Sequence, residues 1–161
     1  MIVVLNGPSS AGKTTLAHAV RKSIGATVAA VSIDRFFAFL HPDIGVHWPE
    51  FDTITEATFA AACVFADRGL DVIVDTVFER TASLDTARRV LGERRHALVA
   101  VTCSVETLEA RERERGNRPV GLARGQHGRV LHDAVYELSV DSDRPLEDYV
   151  GRVAALLRRC S

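Results

Sequence analysis

The chain has 161 residues, 47% of them hydrophobic, 25% charged and 6% aromatic, enough for one domain with a sizeable core. These fractions exclude a disordered tail, a collagen-like repeat and a disulfide-dense mini-protein. Twenty basic residues against 21 acidic ones leave a net charge of −1, which argues against a strong electrostatic grip on nucleic acid or an anionic membrane.

The elements follow in chain order. Ile2–Leu5 is a β-branched run bounded by Asn6-Gly7-Pro8, the mark of a buried strand. It has no basic lead-in and reads as a strand, not a signal peptide. Over 13–24, Leu16, Ala17, Val20 and Ile24 share a helical face, and Gly25 stops the helix. Val28–Ile33 is the second strand. Thr53-Ile54-Thr55-Glu56 reads as a capping box opening a helix through Arg68, with Gly69 as its stop. Asp71–Asp75 is the third strand, 83–91 a helix and Ala97–Thr102 the fourth strand. Ser104 caps a helix over 105–115. A helix over 122–132, a strand over Tyr136–Val140 and a closing helix over 146–159 complete the pattern.

Strands alternating with helices imply an α/β fold, a parallel sheet covered on both faces with right-handed crossovers. Functional groups then gather at the carboxyl ends of the strands. Three cysteines, Cys63, Cys103 and Cys160, lie far apart with no CxxC pair. That is neither a disulfide framework nor a zinc site, and a reducing cytoplasm is the expected location. No run reaches the roughly 18 apolar residues of a membrane span, so no membrane partner is expected.

Gly7-Pro8-Ser9-Ser10-Ala11-Gly12-Lys13-Thr14 fits G-x-x-x-x-G-K-[ST] at every position, directly after a predicted strand and directly before a predicted helix. That context identifies a phosphate-binding loop. Gly7 and Gly12 let the backbone wrap a phosphate with N–H groups pointing inward, and the helix N-terminus, running on into Thr15, adds partial positive charge. Lys13, one of only two lysines in the chain, reaches the β- and γ-phosphates. The Thr14 hydroxyl is a ligand for Mg²⁺. Asp75, closing the apolar run Val72-Ile73-Val74, is the second magnesium anchor, or else a strand-end aspartate capping the next turn.

Asp34 closes the second strand, where a carboxylate accepts the proton of an acceptor hydroxyl; it also suits a helix N-cap. Five of the ten aromatics lie between 36 and 51, among them Phe36, Phe37 and Trp48. They form either an apolar wall for a small acceptor or ordinary core, with Trp48 the most exposed. His41 and His47 are weak metal evidence. The run from Glu109 to Pro119 is rich in charge and broken at Gly116-Asn117. A solvated helix explains Arg113 and Glu114. Arg115 and Arg118 flank the break and are candidates for closing over the phosphates, because a forked guanidinium complements the charge that spreads onto phosphoryl oxygens. Arg111 and Arg80 are weaker candidates.

Together these motifs resemble the chloramphenicol phosphotransferase-like family of small P-loop kinases. The matching pieces are Leu5-Asn6-Gly7 with Ser9-Ser10-Ala11-Gly12-Lys13, Ile33-Asp34, Ile73-Val74-Asp75 with Val77-Phe78, Arg111-Glu112 with Arg115-Gly116, Arg118 and Gly121, and Tyr136 to Asp141. The resemblance implies a five-stranded parallel sheet of order 2-3-1-4-5 and a kinase for an antibiotic or metabolite hydroxyl, chloramphenicol being one such acceptor. It implies Asp34 as the acceptor-activating residue, with Arg115 and Arg118 as lid arginines.

The expected activity is ATP- and Mg²⁺-dependent phosphoryl transfer to a hydroxyl of a small molecule. The expected layout is one kinase domain over 1–161, with a lid at about 111–121 and an acceptor segment at about 35–53. Two alternatives remain open: a nucleoside, nucleotide or polynucleotide-end kinase, and a nucleotide-binding regulatory module without acceptor chemistry. Arg35 is the only lysine or arginine between residues 23 and 67, which disfavours a nucleotide acceptor.

Overall fold

A computed structural model of the chain describes residues 1–40, 48–116, 120–131 and 134–158. Five strands form one parallel sheet: β1 (Ile2–Asn6), β2 (Val28–Ser32), β3 (Asp71–Thr76), β4 (His96–Thr102) and β5 (Leu138–Asp141). Their spatial order is β2-β3-β1-β4-β5, as the family resemblance implied. β1 is flanked in register by β3 and β4, so that Asn6 lies beside Thr76 on one side and Ala100 on the other.

The unbroken apolar strands follow from two buried faces. Along β1, Val3 and Leu5 point into one core with Leu16 and Val20 of α1 (Lys13–Ile24) and Val153 and Leu157 of α7 (Glu147–Arg158). Ile2 and Val4 point into the other. There they meet Phe59 of α3 (Trp48–Asp67) and Leu84 and Leu91 of α4 (Thr81–Leu91). Each such fully buried aliphatic side chain contributes about 1.5–3 kcal/mol.

Three elements differ most from the sequence expectation, and β5 begins at Leu138 rather than Tyr136. β2 stops at Ser32, and Ile33 begins a helix, α2 (Ile33–Leu40). Asp34 therefore stands in the first turn of a helix rather than at a strand end. The helix after it, α3, starts at Trp48 and not at Thr53. Phe51 and Ile54 pack on Ile33 and Phe37 of α2, which stabilises the additional N-terminal turn. Pro49 falls in that first turn, where a missing N–H costs nothing. The supposed capping threonine Thr53 is mid-helix, while the Thr55 and Thr58 hydroxyls donate to the Phe51 and Ile54 carbonyls at 2.8 and 2.7 Å. The helix expected over 122–132 is only α6 (Leu122–Gln126), the glycines at 125 and 128 giving little helical support.

By contrast, α5 (Val105–Arg115) begins as expected, with Ser104 Oγ accepting from the Thr107 N–H at 3.3 Å. Among the described residues, no helix is long and apolar enough to cross a membrane.

Candidate active site

β1 ends under the phosphate-binding loop, and the turn begins with a close approach. A Cβ added to Gly7 would lie 2.1 Å from the Val101 carbonyl oxygen of β4. Only glycine fits there without moving the backbone of one strand. Gly7→Ala is therefore expected to destabilise the fold by about 3 kcal/mol or more. A thermal melt tests it; an unchanged Tm would show that β4 yields freely.

Ser10 has φ of 63° and Gly12 has φ of 87°. Consecutive turns of this kind aim backbone N–H groups into one concavity. Ser10 holds a conformation that is strained for a residue with a side chain, as ligand-binding loops often do. Its buried hydroxyl has no hydrogen-bond partner among the described residues, so it can serve a bound anion. Asn6, immediately before the loop, fastens it from below. It donates to the Val130 carbonyl and the Tyr136 hydroxyl, both at 2.7 Å, and accepts from the Phe78 N–H at 2.9 Å.

Lys13 is buried, with Nζ donating to the Gly7 and Pro8 carbonyls at 2.9 and 2.8 Å. The Thr14 hydroxyl donates to Asp75 Oδ2 at 2.6 Å. Burial pushes the Asp75 carboxyl above its ordinary value; Lys13 and the Thr14 hydrogen bond oppose that rise, Asp34 adds to it and Arg115 opposes it. A hydroxyl and a buried carboxylate that converge in this way fit the hard oxygen donors that magnesium takes.

A cavity of about 830 Å³ joins these groups. It is lined by the loop residues Ser9, Ser10, Gly12, Lys13, Thr14 and Thr15, together with Arg111, Ser142 and Tyr149. Gly7, Pro8 and Ala11 are buried and do not line it. Asp34, Phe37, Phe51, Val77, Glu79 and Gln126 line the same cavity. The described part of the aromatic segment is both core and cavity lining. Phe37 and Phe51 are buried core, with ring centroids 5.4 Å apart, and they also line the cavity.

Arg115 lines the cavity. Arg118, His41, His47 and the Trp48 side chain lie outside the described residues. Arg111 is placed more centrally than expected. Its guanidinium donates to Ser142 Oγ at 3.0 Å, to the Ser142 carbonyl at 2.9 Å and to the Ser10 carbonyl at 3.4 Å. Arg80 instead pairs with Asp52 at 2.7 Å and does not line the cavity.

Two anchoring residues were missed. Glu112, 3% exposed, accepts from the Gly121 and Ala123 N–H groups at 2.7 and 2.9 Å, which ties α5 to the start of α6. Gln126 accepts from the Ser9 N–H at 2.6 Å. Nothing local in the sequence separates Glu112 from its charged neighbours.

The chloramphenicol phosphotransferase-like family matches residues 1–156. A Mycobacterium tuberculosis (strain H37Rv) protein provisionally named an O-phosphotransferase is 30% identical, over 88% of this chain and 74% of its own. Among solved structures, the M. tuberculosis APS kinase CysC, in complex with AMPPNP and APS, superposes with a TM-score of 0.81 at 19% identity, over 98% of this chain and 96% of that one. An unliganded sugar kinase from Janibacter sp. HTCC2649 gives 0.76 at 22% identity, over 99% and 95%. These two structural likenesses show the same fold.

Proposed function

This chain belongs to the chloramphenicol phosphotransferase-like family, and from that premise we propose that it is an ATP-dependent kinase phosphorylating a hydroxyl of a small molecule. The observation that carries the proposal is the single cavity shared by Lys13, the Thr14–Asp75 pair and Asp34, with apolar walls on the Asp34 side. The relative's O-phosphotransferase name and the kinase neighbours agree with it. An antibiotic such as chloramphenicol is one candidate acceptor. The whole chain acts as one kinase domain, with a lid at about 111–121 and an acceptor segment at about 35–53.

In this reading, Lys13 exchanges its loop carbonyls for the β- and γ-phosphate oxygens of ATP. The loop N–H groups and the Ser10 hydroxyl bind the same oxygens. Thr14 and Asp75 would hold Mg²⁺, which supplies charge neutralisation when bound. Asp34 orients the acceptor hydroxyl and takes its proton. The acceptor oxygen forms a bond to the γ-phosphorus as the bond from that phosphorus to the β–γ bridging oxygen breaks, and ADP leaves. Little covalent chemistry is asked of the protein, so positioning and fixed charge supply most of the rate.

Arg115 and Arg118 close over the transferring group. Arg115→Ala is expected to lower kcat roughly 10–100-fold, the worth of a charge-assisted hydrogen bond, with a smaller change in acceptor KM. Arg115→Lys restores it only in part, because a point charge cannot meet two oxygens at once. A larger effect on KM than on kcat would move Arg115 from the transition state to ground-state binding.

The test of the function is transfer of labelled γ-phosphate from ATP onto a library of hydroxylated antibiotics and metabolites. Transfer to one chemical class supports the kinase. ATP turnover that stays flat across the library would favour a regulatory nucleotide-binding module.

A further inference from the structure

A side chain that the proposed mechanism does not use holds the turn that opens the phosphate-binding loop. The Ala11 N–H donates to the Pro8 carbonyl at 3.3 Å and closes this turn over Ser9 and Ser10. Ser10 sits in it with φ of 63°, a conformation that persists in a residue with a side chain only where the surroundings impose it. The Ser9 N–H bonds outside the turn, to Gln126 Oε1 at 2.6 Å. Arg111 of α5 also reaches the turn, donating to the Ser10 carbonyl at 3.4 Å, a longer contact. Lys13 holds the Pro8 carbonyl at 2.8 Å, but in the kinase reading that bond is given up to the phosphates. The Gln126 bond stays in place when nucleotide arrives.

Gln126 lies on α6, is 4% exposed and lines the cavity. Both ends of its amide are engaged. Oε1 accepts from Ser9, and Nε2 donates to Glu79 Oε1. Glu79 is ion-paired with Arg129, its Oε2 accepting at 2.7 Å, and its backbone carbonyl accepts from the same guanidinium at 3.2 Å. The relay thus runs from the loop through α6 to the segment after β3. The other end of α6 is fastened separately, because Glu112 of α5 accepts from the Gly121 and Ala123 N–H groups.

The two partners restrict what can stand at position 126. An N–H on one side requires an acceptor, and a carboxylate on the other requires a donor. A carboxylate cannot donate to Glu79, and a lysine or arginine cannot accept from Ser9. Glutamine does both and adds no charge beside the loop.

We propose that Gln126 is a positioning residue for nucleotide binding: anchored on Glu79, it holds the Ser9 amide and keeps the first turn of the loop in the form that receives the phosphates. This rests on the kinase reading above and deepens its nucleotide site. A loop that leaves this form part of the time binds more weakly in proportion to the fraction lost.

Two measurements on the full chain test it: amide exchange at Ser9 by NMR, and the Kd for the magnesium complex of AMPPNP by calorimetry. Gln126→Met keeps the bulk of the side chain and removes both bonds. Ser9 exchange should accelerate at least about tenfold and Kd should rise about tenfold, the scale of one hydrogen bond, while amides of β1 and α4 keep their protection. Gln126→Asn keeps the amide but is one methylene too short for both partners. It should shift both readouts in the same direction, and it carries the test should Gln126→Met fail to fold. The double variant Gln126→Glu/Glu79→Gln exchanges donor and acceptor between the two side chains and keeps an acceptor for Ser9. Protection at Ser9 should then return in the free protein.

Unchanged Ser9 exchange in Gln126→Met or Gln126→Asn overturns the inference. If Kd rises while Ser9 stays protected, Gln126 meets the nucleotide itself and is not a positioning residue. Faster Ser9 exchange with an unchanged Kd makes the bond purely structural, and failure of the double variant to restore protection removes Glu79 as the anchor; either result overturns the proposal while leaving the kinase standing. Absence of AMPPNP binding to the wild-type chain overturns the kinase reading and this inference with it.

Discussion

Lys13→Ala is expected to lose at least about 10³-fold in phosphoryl transfer, comparable to or above the loss of a preorganised oxyanion donor, while the chain still folds. The ammonium is buried and held by the Gly7 and Pro8 carbonyls at 2.9 and 2.8 Å. Both carbonyls belong to the loop directly before α1, so these two bonds are local. Their loss leaves two carbonyls short of a partner, at a cost of about 1–3 kcal/mol. The sheet register that sets the fold, Ile2 to Asn6 against β3 and β4, does not involve the side chain. Melting should therefore stay cooperative at a somewhat lower Tm. Catalysis has no substitute: among the described residues the cavity's other lysines and arginines are arginines on α5 and beyond β5, and their forks cannot take the place of a compact charge inside the loop. Single-turnover transfer and a circular-dichroism melt on one preparation separate the two effects. A variant with near wild-type kcat would show that this loop does not cradle the reacting phosphates.

The reach of the sequence is clear from particular residues. The phosphate-binding loop was legible because its signal is local and its strand and helix context is local too. The five-stranded sheet was legible because burial on both faces writes strands as unbroken apolar runs, as in Ile2–Leu5 and Val72–Val74. The sheet's strand order came from the family resemblance, not from the runs. The start of α3 was not legible. Thr53 to Glu56 has the letters of a capping box, yet Phe51 and Ile54 gain more by packing on α2 and carry the helix back to Trp48. Long-range polar partners were not legible either. Glu112 sits in an alternating charge run, and its partners are amides nine and eleven residues on. Gln126 meets Ser9 across 117 residues. Asn6 gave a faint signal, a polar residue ending an apolar strand, but its three partners at 78, 130 and 136 come only from the fold.

Asp34→Asn is expected to keep ATP affinity and to cut transfer roughly 10²–10⁴-fold, the usual worth of a general base. The location of Asp34 separates the two properties. It stands in the first turn of α2, on the cavity wall with Phe37 and Phe51, and it is not part of the loop that meets the phosphates. Asparagine keeps the shape and can still orient a hydroxyl, but it cannot take a proton at neutral pH. An acidic residue in a first helical turn adds only about 0.3–1 kcal/mol to the helix. A melt of the same preparation separates any loss of stability from the fall in transfer. Asp34→Glu sharpens the test. It restores the charge and the proton acceptor but moves the carboxylate outward by one methylene, and misplacement of about 1 Å can cost 10²-fold. Its rate should recover partially and remain below wild type. ATP affinity measured by equilibrium binding supplies the other arm. If Asn at this position weakens ATP binding as much as it slows transfer, Asp34 serves the nucleotide, and the acceptor must be activated by another group on this wall.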